Sequence, residues 1–321
     1  MMAVLVGLLS SSAWASSDPV REQALTTDRL HSLLVLHQGQ PVLELEREGP
    51  GLAAPANIKS VSKTVLSMLG GIAIDRGLID SVDTPLIELL GERFPDNATP
   101  GAETITFGQA LSMQIGLGST SGRHYGRWVQ SDNWVRHALT RPMVDEPGGR
   151  MIYSTGSTHL AAAALVEASG RDLVGLARDW LGEPLDIRIP NWMTDPQGIH
   201  FGGNEMQLSP HALARLGELY RLGGRINGQQ VVSSEWIEQS WRANGRSPWT
   251  GDDYGFGWFI TEVDGVKTYY GRGFGGQALF VVPEAELTIV VTSNPNPPSA
   301  GWRFRQLLDL VARAIVHYPS G

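Results

Sequence analysis

The 321-residue chain contains no cysteine, and only three of its 25 basic residues are lysines. Without cysteine, disulfides and thiolate metal sites are excluded. The eight histidines do not follow a metal-binding spacing such as H-E-x-x-H, so we expect no metal and no other cofactor. The formal net charge is -8 and the chain has no basic run, which argues against a nucleic-acid partner. These absences favour a small-molecule ligand.

Residues 1–15 are predicted to be a signal peptide. A short apolar run from Ala3 to Leu9 is followed by Ala13-Trp14-Ala15, which matches the A-x-A pattern of a cleavage site. The basic residues that usually precede such a run are missing. The run is too short for a stable membrane span. We therefore predict a periplasmic or secreted protein, or a cytoplasmic one if this segment is not a functional signal.

Apolar patterns predict strands near both ends of the chain and helices between them. The predicted strands are a hairpin at 33–37 and 42–46 and four later segments at 254–261, 266–270, 278–282 and 287–292. The predicted helices follow Ser60 and occupy 104–113, 156–168, 172–181, 209–219 and 302–316.

This order of elements indicates an α+β fold. One antiparallel β-sheet flanked by helices would be assembled from both ends of the chain. A mostly helical insert at about 78–200 would form a second lobe, with a cleft between the two lobes. We therefore predict a single domain over residues 24–321.

A serine and a lysine one helical turn apart form the first chemical motif. Ser60 and Lys63 make an S-x-x-K pair at the start of an apolar helix, an arrangement found in active-site-serine enzymes. A helix start directs N–H groups at a bound ligand. Burial would lower the pKa of Lys63 and let it act as a base, which an arginine cannot do. The alternative is an N-cap serine followed by a surface lysine.

Two further segments are placed to face the same cleft. Tyr153 ends a glycine-containing loop ahead of the alanine-rich helix, and its phenol could move a proton beside the serine–lysine pair. Alternatively, the ring packs under the loop. The glycine-rich segment 271–276 could donate a backbone N–H to an oxyanion hole together with that of Ser60. Taken alone, that segment is a plain hairpin turn.

In this order the motifs resemble those of the serine β-lactamase/penicillin-recognising superfamily. The similarity is greatest to its class C-related branch of esterases, D-amino-acid-type peptidases and 6-aminohexanoate-dimer-type amide hydrolases. The resemblance covers about 30–316 and includes the segments at 60–64, 77–85, 104–106, 111–113, 147–153 and 273–283. It implies a β-lactamase/transpeptidase-like fold. It further implies that Ser60 is the acylated nucleophile, Lys63 its proton acceptor and Tyr153 the group that serves the leaving group or the deacylating water.

The chain departs from this superfamily in two motifs. The Y-x-N motif stands as Tyr153-Ser154-Thr155, so the amide that would hold a substrate carbonyl is missing. The K-T-G strand is replaced, on an alignment through the double glycine, by Tyr270-Gly271-Arg272. On that alignment Gly273 supplies the second oxyanion N–H. The candidate substrate-binding residues are Thr155, Tyr270, Arg272 and Gln277.

The departures bear on the predicted substrate. Arg272 offers the only positive charge in the segment that replaces the K-T-G motif, and its guanidinium could hold a carboxylate. The tryptophans at 128, 134, 192, 249 and 258 either line an apolar acyl pocket or belong to the core.

We predict a serine hydrolase that acts through an acyl-enzyme on small esters or linear amides. The alternatives are a β-lactamase or D-Ala-D-Ala-type peptidase and, from another class, a non-catalytic penicillin-recognising binding protein. The sequence leaves open the oligomeric state and whether Lys63 or Tyr153 is the resting base.

Overall fold

The computed structural model describes residues 18–296 and 301–320, with the backbone alone at 301–303. The predicted signal peptide at 1–15 lies outside these residues and stays a prediction. Within the described ranges, no helix combines the length and the apolar character that a membrane crossing requires.

The described residues form one large sheet and two short ribbons. The strands are β1 (Leu30–His37), β2 (Gln40–Glu46), β3 (Ala56–Asn57), β4 (Gln207–Leu208), β5 (Arg225–Ile226), β6 (Gln229–Gln230), β7 (Gly245–Arg246), β8 (Asp253–Tyr254), β9 (Phe259–Val263), β10 (Val266–Gly273), β11 (Gln277–Val282) and β12 (Leu287–Ser293). The large sheet is antiparallel, with the order β2-β1-β12-β11-β10-β9-β8-β7. Strand β3 pairs with β4, and β5 pairs with β6. As predicted, strands from both ends of the chain meet in one sheet, where β1 lies beside β12.

Helices cover both faces of the large sheet. They are α1 (Pro19–Thr26), α2 (Ser62–Asp75), α3 (Leu86–Leu90), α4 (Phe107–Leu111), α5 (Tyr125–Val129), α6 (Trp134–Leu139), α7 (Thr155–Ser169), α8 (Leu173–Ala177), α9 (Glu183–Leu185), α10 (Pro210–Arg221), α11 (Ser234–Ser240) and α12 (Gly301–His317). Helices α1 and α12 lie on one face, and α2 and α10 lie on the other. The sheet is therefore covered on both sides, which explains why β11 and β12 are buried along their whole length and mostly apolar.

Helix α2 is the centre of the helical side. Every residue from Ser62 to Ala73 is buried, because α7 and β10 pack around it. Glycines permit the close approach at two places: a Cβ on Gly71 would lie 2.3 Å from the Trp236 ring, and one on Gly271 would lie 2.4 Å from Thr64 Oγ1. A helix buried on all sides holds the short turn that precedes it against β10, and that turn carries the predicted nucleophile.

One predicted strand is wrong in its length. The segment predicted at 254–261 contains two short strands, β8 and β9, separated by a turn at Gly257. Gly257 has a φ of +75°, and a Cβ there would lie 2.7 Å from the Lys63 carbonyl oxygen. The chain turns here because only glycine combines a positive φ with this close contact to α2.

Candidate active site

Ser60 lies in a single 3₁₀ turn, Lys59–Val61, that leads directly into α2. Lys59 has a φ of +52°, which is strained for a residue with a side chain. Its N–H donates to Asn57 Oδ1 at 2.9 Å, and its ammonium group pairs with Glu205 at 3.3 Å. The N–H of Ser60 has no hydrogen-bond partner among the described residues. The turn therefore presents both the hydroxyl and a free N–H of Ser60.

The Lys63 amine lies one turn below Ser60 and is almost completely buried. Its Nζ lies 3.1 Å from Ser60 Oγ, 3.3 Å from Thr155 Oγ1 and 2.7 Å from the Gly203 carbonyl oxygen. Burial lowers the pKa of Lys63, while the neighbouring Tyr153 opposes this shift. No carboxylate among the described residues contacts the amine.

Three contacts suit the three hydrogens of the ammonium form, and they equally suit the neutral amine. A neutral lysine has two N–H groups and one lone pair, and a protonated one has three N–H groups. In the neutral form the Gly203 carbonyl takes one N–H, because it can only accept, and the Thr155 hydroxyl can take the other. The lone pair is then directed at the Ser60 hydroxyl, as a general base requires.

Tyr153 completes the group that the sequence predicted. The centre of its ring lies 5.0 Å from Lys63 Nζ. The loop that carries it is held by Ser119, whose hydroxyl donates to the Tyr153 carbonyl oxygen at 2.6 Å. On its outer side the ring meets Trp249 edge-on at 5.6 Å. The structure thus brings Ser60, Lys63 and Tyr153 together.

Ser60 and Tyr153 open on one cleft of about 370 Å³. The lining consists of hydroxyl groups, aromatic rings and one cation, contributed by Ser60, Ser119, Ser121, Gly122, Tyr153, Ser247, Trp249, Phe259, Arg272, Gly273 and Phe274. A larger depression of about 700 Å³ near His31 contains no serine or threonine in its lining. The described residues include no group of three or more His, Asp or Glu side chains suited to a metal.

The end of β10 presses against the turn that carries Ser60. A Cβ on Gly273 would lie 2.5 Å from the Ile58 carbonyl oxygen. Gly273 itself is in register with Gln277 of β11. The next residue, Phe274, lines the cleft, and its N–H has no partner among the described residues. The Phe274 N–H, one residue beyond the predicted Gly273, is therefore a free donor at this end of the strand.

Two predicted substrate-binding residues lie away from the cleft. Tyr270 is fully buried, and its hydroxyl donates to Asp252 Oδ2 at 2.5 Å. Burial and the Asp252 carboxylate raise the pKa of Tyr270. Gln277 is also buried, and its side-chain amide forms bonds of 2.7 and 3.0 Å with the backbone of Ser293. The prediction that Tyr270 and Gln277 contact substrate is corrected: the first faces the core beneath α12, and the second joins β11 to β12.

The other two predicted substrate-binding residues lie at the site. Arg272 lines the cleft, with its guanidinium 4.2 Å from the centre of the Phe304 ring and no carboxylate partner among the described residues. Thr155 is buried, and its hydroxyl contacts Lys63 and, at 3.0 Å, Ser121 Oγ. Its direct contact is thus with the amine, while Ser121 reaches the cleft.

The sequence reasoning missed three contributors to the site. The Gly203 carbonyl, the Ser121 hydroxyl and the Phe274 N–H come from loops without a recognised motif. The double glycine at 202–203 was the available signal for the first.

Of the five tryptophans considered, only Trp249 lines the cleft, where it is 70% exposed. The others are buried in the core: Trp128, Trp134, Trp192 and Trp258.

Comparison with known proteins supports the assignment of fold and chemistry. The family model described as Beta-lactamase matches residues 31–313. The 6-aminohexanoate-dimer hydrolase of Paenarthrobacter ureafaciens is 26% identical over 333 aligned positions, covering 94% of this chain and 83% of that protein.

Solved structures share the fold at low sequence identity. The hydrolase EstCE1, described as having promiscuous acyltransferase activity, superposes with a TM-score of 0.74 at 18% identity, over 91% of this chain and 96% of that one. A family VIII carboxylesterase gives a TM-score of 0.71 at 16% identity, over 92% and 96%. The predicted α+β fold and superfamily are confirmed. The chain belongs to the beta-lactamase family of serine hydrolases.

Proposed function

We propose that this protein hydrolyses small esters or linear amides through an acyl-enzyme on Ser60. The observation that carries the proposal is the 3.1 Å contact between Ser60 Oγ and the buried amine of Lys63. An amine without a carboxylate partner in a dry site is readily neutral, and a neutral amine can take the serine proton.

In the first step Lys63 accepts the hydroxyl proton of Ser60 as the serine oxygen attacks the substrate carbonyl. Negative charge then develops on the carbonyl oxygen. The unpaired N–H groups of Ser60 and Phe274 both belong to residues that line the cleft, and together they can bind this oxyanion. Phe274 takes the role that the sequence alignment gave to Gly273.

In the second step the proton must reach the leaving group. Tyr153 lies beside Lys63 and also lines the cleft, so its phenol can pass the proton from the ammonium group to the leaving oxygen or nitrogen. A water molecule then enters, gives a proton back along the same route and attacks the acyl-enzyme. The carboxylic acid leaves, and Ser60 regains its proton.

The cleft favours small, largely apolar acyl compounds. Trp249, Phe259 and Phe274 supply apolar surface, and Arg272 can accept a carboxylate on the substrate. The side chain at Thr155 is directed to Lys63, so the site lacks the amide with which β-lactamases hold a drug. The curated relative is named for a linear amide, 6-aminohexanoate dimer, which supports esters or linear amides over β-lactams.

The test compares p-nitrophenyl butyrate, a linear amide and nitrocefin as substrates of the wild type and of Ser60→Ala. We expect ester hydrolysis in the wild type and none in the variant. Ser62→Ala is the control, because the Ser62 hydroxyl donates to the Lys59 carbonyl and does not line the cleft. Preferred turnover of nitrocefin would instead identify a β-lactamase.

Intact-mass spectrometry with a fluorophosphonate probe separates catalysis from binding alone. A single adduct on Ser60 is expected in the wild type and in Ser62→Ala. Absence of the adduct in both proteins would contradict the proposal and support a non-catalytic binding protein.

A further inference from the structure

A histidine and an aspartate form a buried pair outside the catalytic cleft. The side chains of His159 and Asp195 are completely buried, and His159 Nε2 lies 3.0 Å from Asp195 Oδ2. Aromatic rings surround the imidazole at 5.3 to 6.1 Å, from Trp128, Trp134 and Phe201. The chemistry proposed above uses neither residue, although a buried charged group needs a compensating role or partner.

The hydrogen bonds of the pair determine the tautomer of the imidazole. The Gly202 N–H donates to His159 Nδ1 at 3.3 Å, so this nitrogen carries no proton. The proton is therefore on Nε2 and is donated to Asp195. Asp195 Oδ1 accepts two further bonds of 2.8 Å, from the N–H groups of Gln197 and Ile199. The carboxylate thus has three donors.

The residue after Gly202 touches the catalytic amine. The Gly203 carbonyl oxygen accepts from Lys63 Nζ at 2.7 Å, the shortest contact of that amine. Both glycines pack tightly on α7: a Cβ on Gly202 would lie 2.4 Å from Ala162 Cβ, and one on Gly203 would lie 2.3 Å from Thr158 Oγ1. The Gly203 N–H also donates to the Phe201 carbonyl oxygen at 3.0 Å, so the carbonyl of Gly203 is placed by this packing, by that bond and by the bond that holds the Gly202 N–H.

We propose that His159, oriented by Asp195, is a positioning residue that holds the Gly203 carbonyl on Lys63 and so directs the amine lone pair at Ser60. The inference rests on the proposed function, because it assigns a task to a base in that mechanism. His159 acts through the backbone of Gly202 and Gly203, without contact to substrate.

Few other titratable groups face this network. Tyr153 adjoins Lys63, and the ion pair of Lys59 with Glu205 lies at the loop that carries Gly203. Asp195 is the only charged side chain among the described residues that bonds to His159. A change at His159 should therefore reach Lys63 through Gly203.

Two nearly isosteric substitutions separate the two bonds of the imidazole. In His159→Asn the side-chain oxygen can replace Nδ1 and keep the Gly202 bond, while the Asp195 bond is lost. In His159→Gln the side-chain amide can replace Nε2 and keep the Asp195 bond, while the Gly202 acceptor is lost. Both remove the ring, so thermal unfolding should report a similar loss of stability.

The pH profile of kcat/KM for p-nitrophenyl butyrate distinguishes positioning from stability. The Gly203 carbonyl stabilises the ammonium form of Lys63, so its displacement lowers the pKa of the amine further. In His159→Gln we expect the acidic limb to move to lower pH and the plateau kcat to fall roughly tenfold, with KM little changed. In His159→Asn the limb should stay near its wild-type position.

Asp195→Asn provides an independent variant if His159→Gln does not fold. The amide can still accept the bonds from Gln197 and Ile199, but its N–H₂ now faces Nε2 and favours the other tautomer, with the proton on Nδ1 facing the Gly202 N–H. We expect the same displacement of the acidic limb as in His159→Gln.

An acidic limb of the kcat/KM profile at the same pH in His159→Asn, His159→Gln and Asp195→Asn would overturn the inference while leaving the proposed function intact. Absence of both turnover and fluorophosphonate labelling in the wild type would overturn the proposed function. In that case crystal structures of the variants decide the positioning role: a Gly203 carbonyl that stays on Lys63 in His159→Gln refutes it, and a displaced carbonyl supports it.

Discussion

Two of the regions in which the described residues bury a charge-bearing side chain treat it in opposite ways. Between α10 and the sheet, Glu218 pairs with Arg221 at 2.7 Å and also accepts a bond of 2.6 Å from the Thr288 hydroxyl. At the start of α2, Lys63 is buried among neutral partners, the nearest being the Gly203 carbonyl. A paired charge is stabilised in place, whereas an amine without a counter-ion is pushed toward its neutral, basic form.

The comparison is tested most strongly by replacing the buried amine. Lys63→Arg keeps a positive charge but cannot accept a proton, so kcat/KM for p-nitrophenyl butyrate should fall by about 10³-fold or more. Lys59→Arg is the matched control, because it keeps the ion pair with Glu205 outside the buried core. Retention of a tenth of the activity in Lys63→Arg would show that the amine is not the base.

The free energy of unfolding should respond in the reverse order: it should fall more when the paired Glu218 is replaced than when Lys63 is replaced. Glu218→Gln leaves Arg221 buried without its partner, and we expect a loss of about 3 kcal/mol in the free energy of unfolding, measured in urea. Lys63→Met removes an amine that has no counter-ion, so the change should stay below about 1 kcal/mol. Equal losses in the two variants would contradict the distinction between the regions.

The pH dependence sharpens the account of Lys63. Because burial lowers the pKa of this amine, kcat/KM should rise with pH through a single ionisation that lies below the ordinary lysine value of 10.5. The unfolded chain binds the proton more tightly than the folded one, so Lys63 makes stability rise with pH between the two pKa values. Unfolding measured at several pH values should show this contribution in the wild type and lose it in Lys63→Met.

The smallest effect is expected on the open side of the cleft, where neither buried charge is disturbed. Trp249→Ala removes a ring that is 70% exposed and contacts Tyr153 edge-on. Stability should stay within about 0.5 kcal/mol of the wild type, since surface substitutions rarely exceed this. KM for a phenylacetate ester of p-nitrophenol should rise roughly fivefold relative to the acetate ester, the size of one aromatic contact. An unchanged ratio would exclude Trp249 from the substrate site.

Local patterns in the chain predicted the parts of the site that belong to short sequence motifs. Ser60 and Lys63 are one helical turn apart, so their spacing alone brings them within reach of each other. Tyr153 was found through the loop before α7. The strand positions were harder: Tyr270 and Gln277 belong to the right hairpin, but their side chains are buried. Tyr270 and Arg272 lie on the same face of β10, where both contact Phe304, but only Arg272, nearer the end of the strand, reaches the cleft.

The sequence by itself determined the α+β architecture and the serine–lysine pair that we propose as nucleophile and base, because both follow from periodicity and spacing between near neighbours. Only the tertiary structure decided that the Gly203 carbonyl contacts Lys63, that the Phe274 N–H is a free donor and that Trp249 alone among the considered tryptophans lines the cleft. These groups come from loops far apart in the chain, and backbone N–H and C=O groups are the same in every residue type except proline. Their roles therefore depend on packing, which places one particular peptide group beside the buried amine.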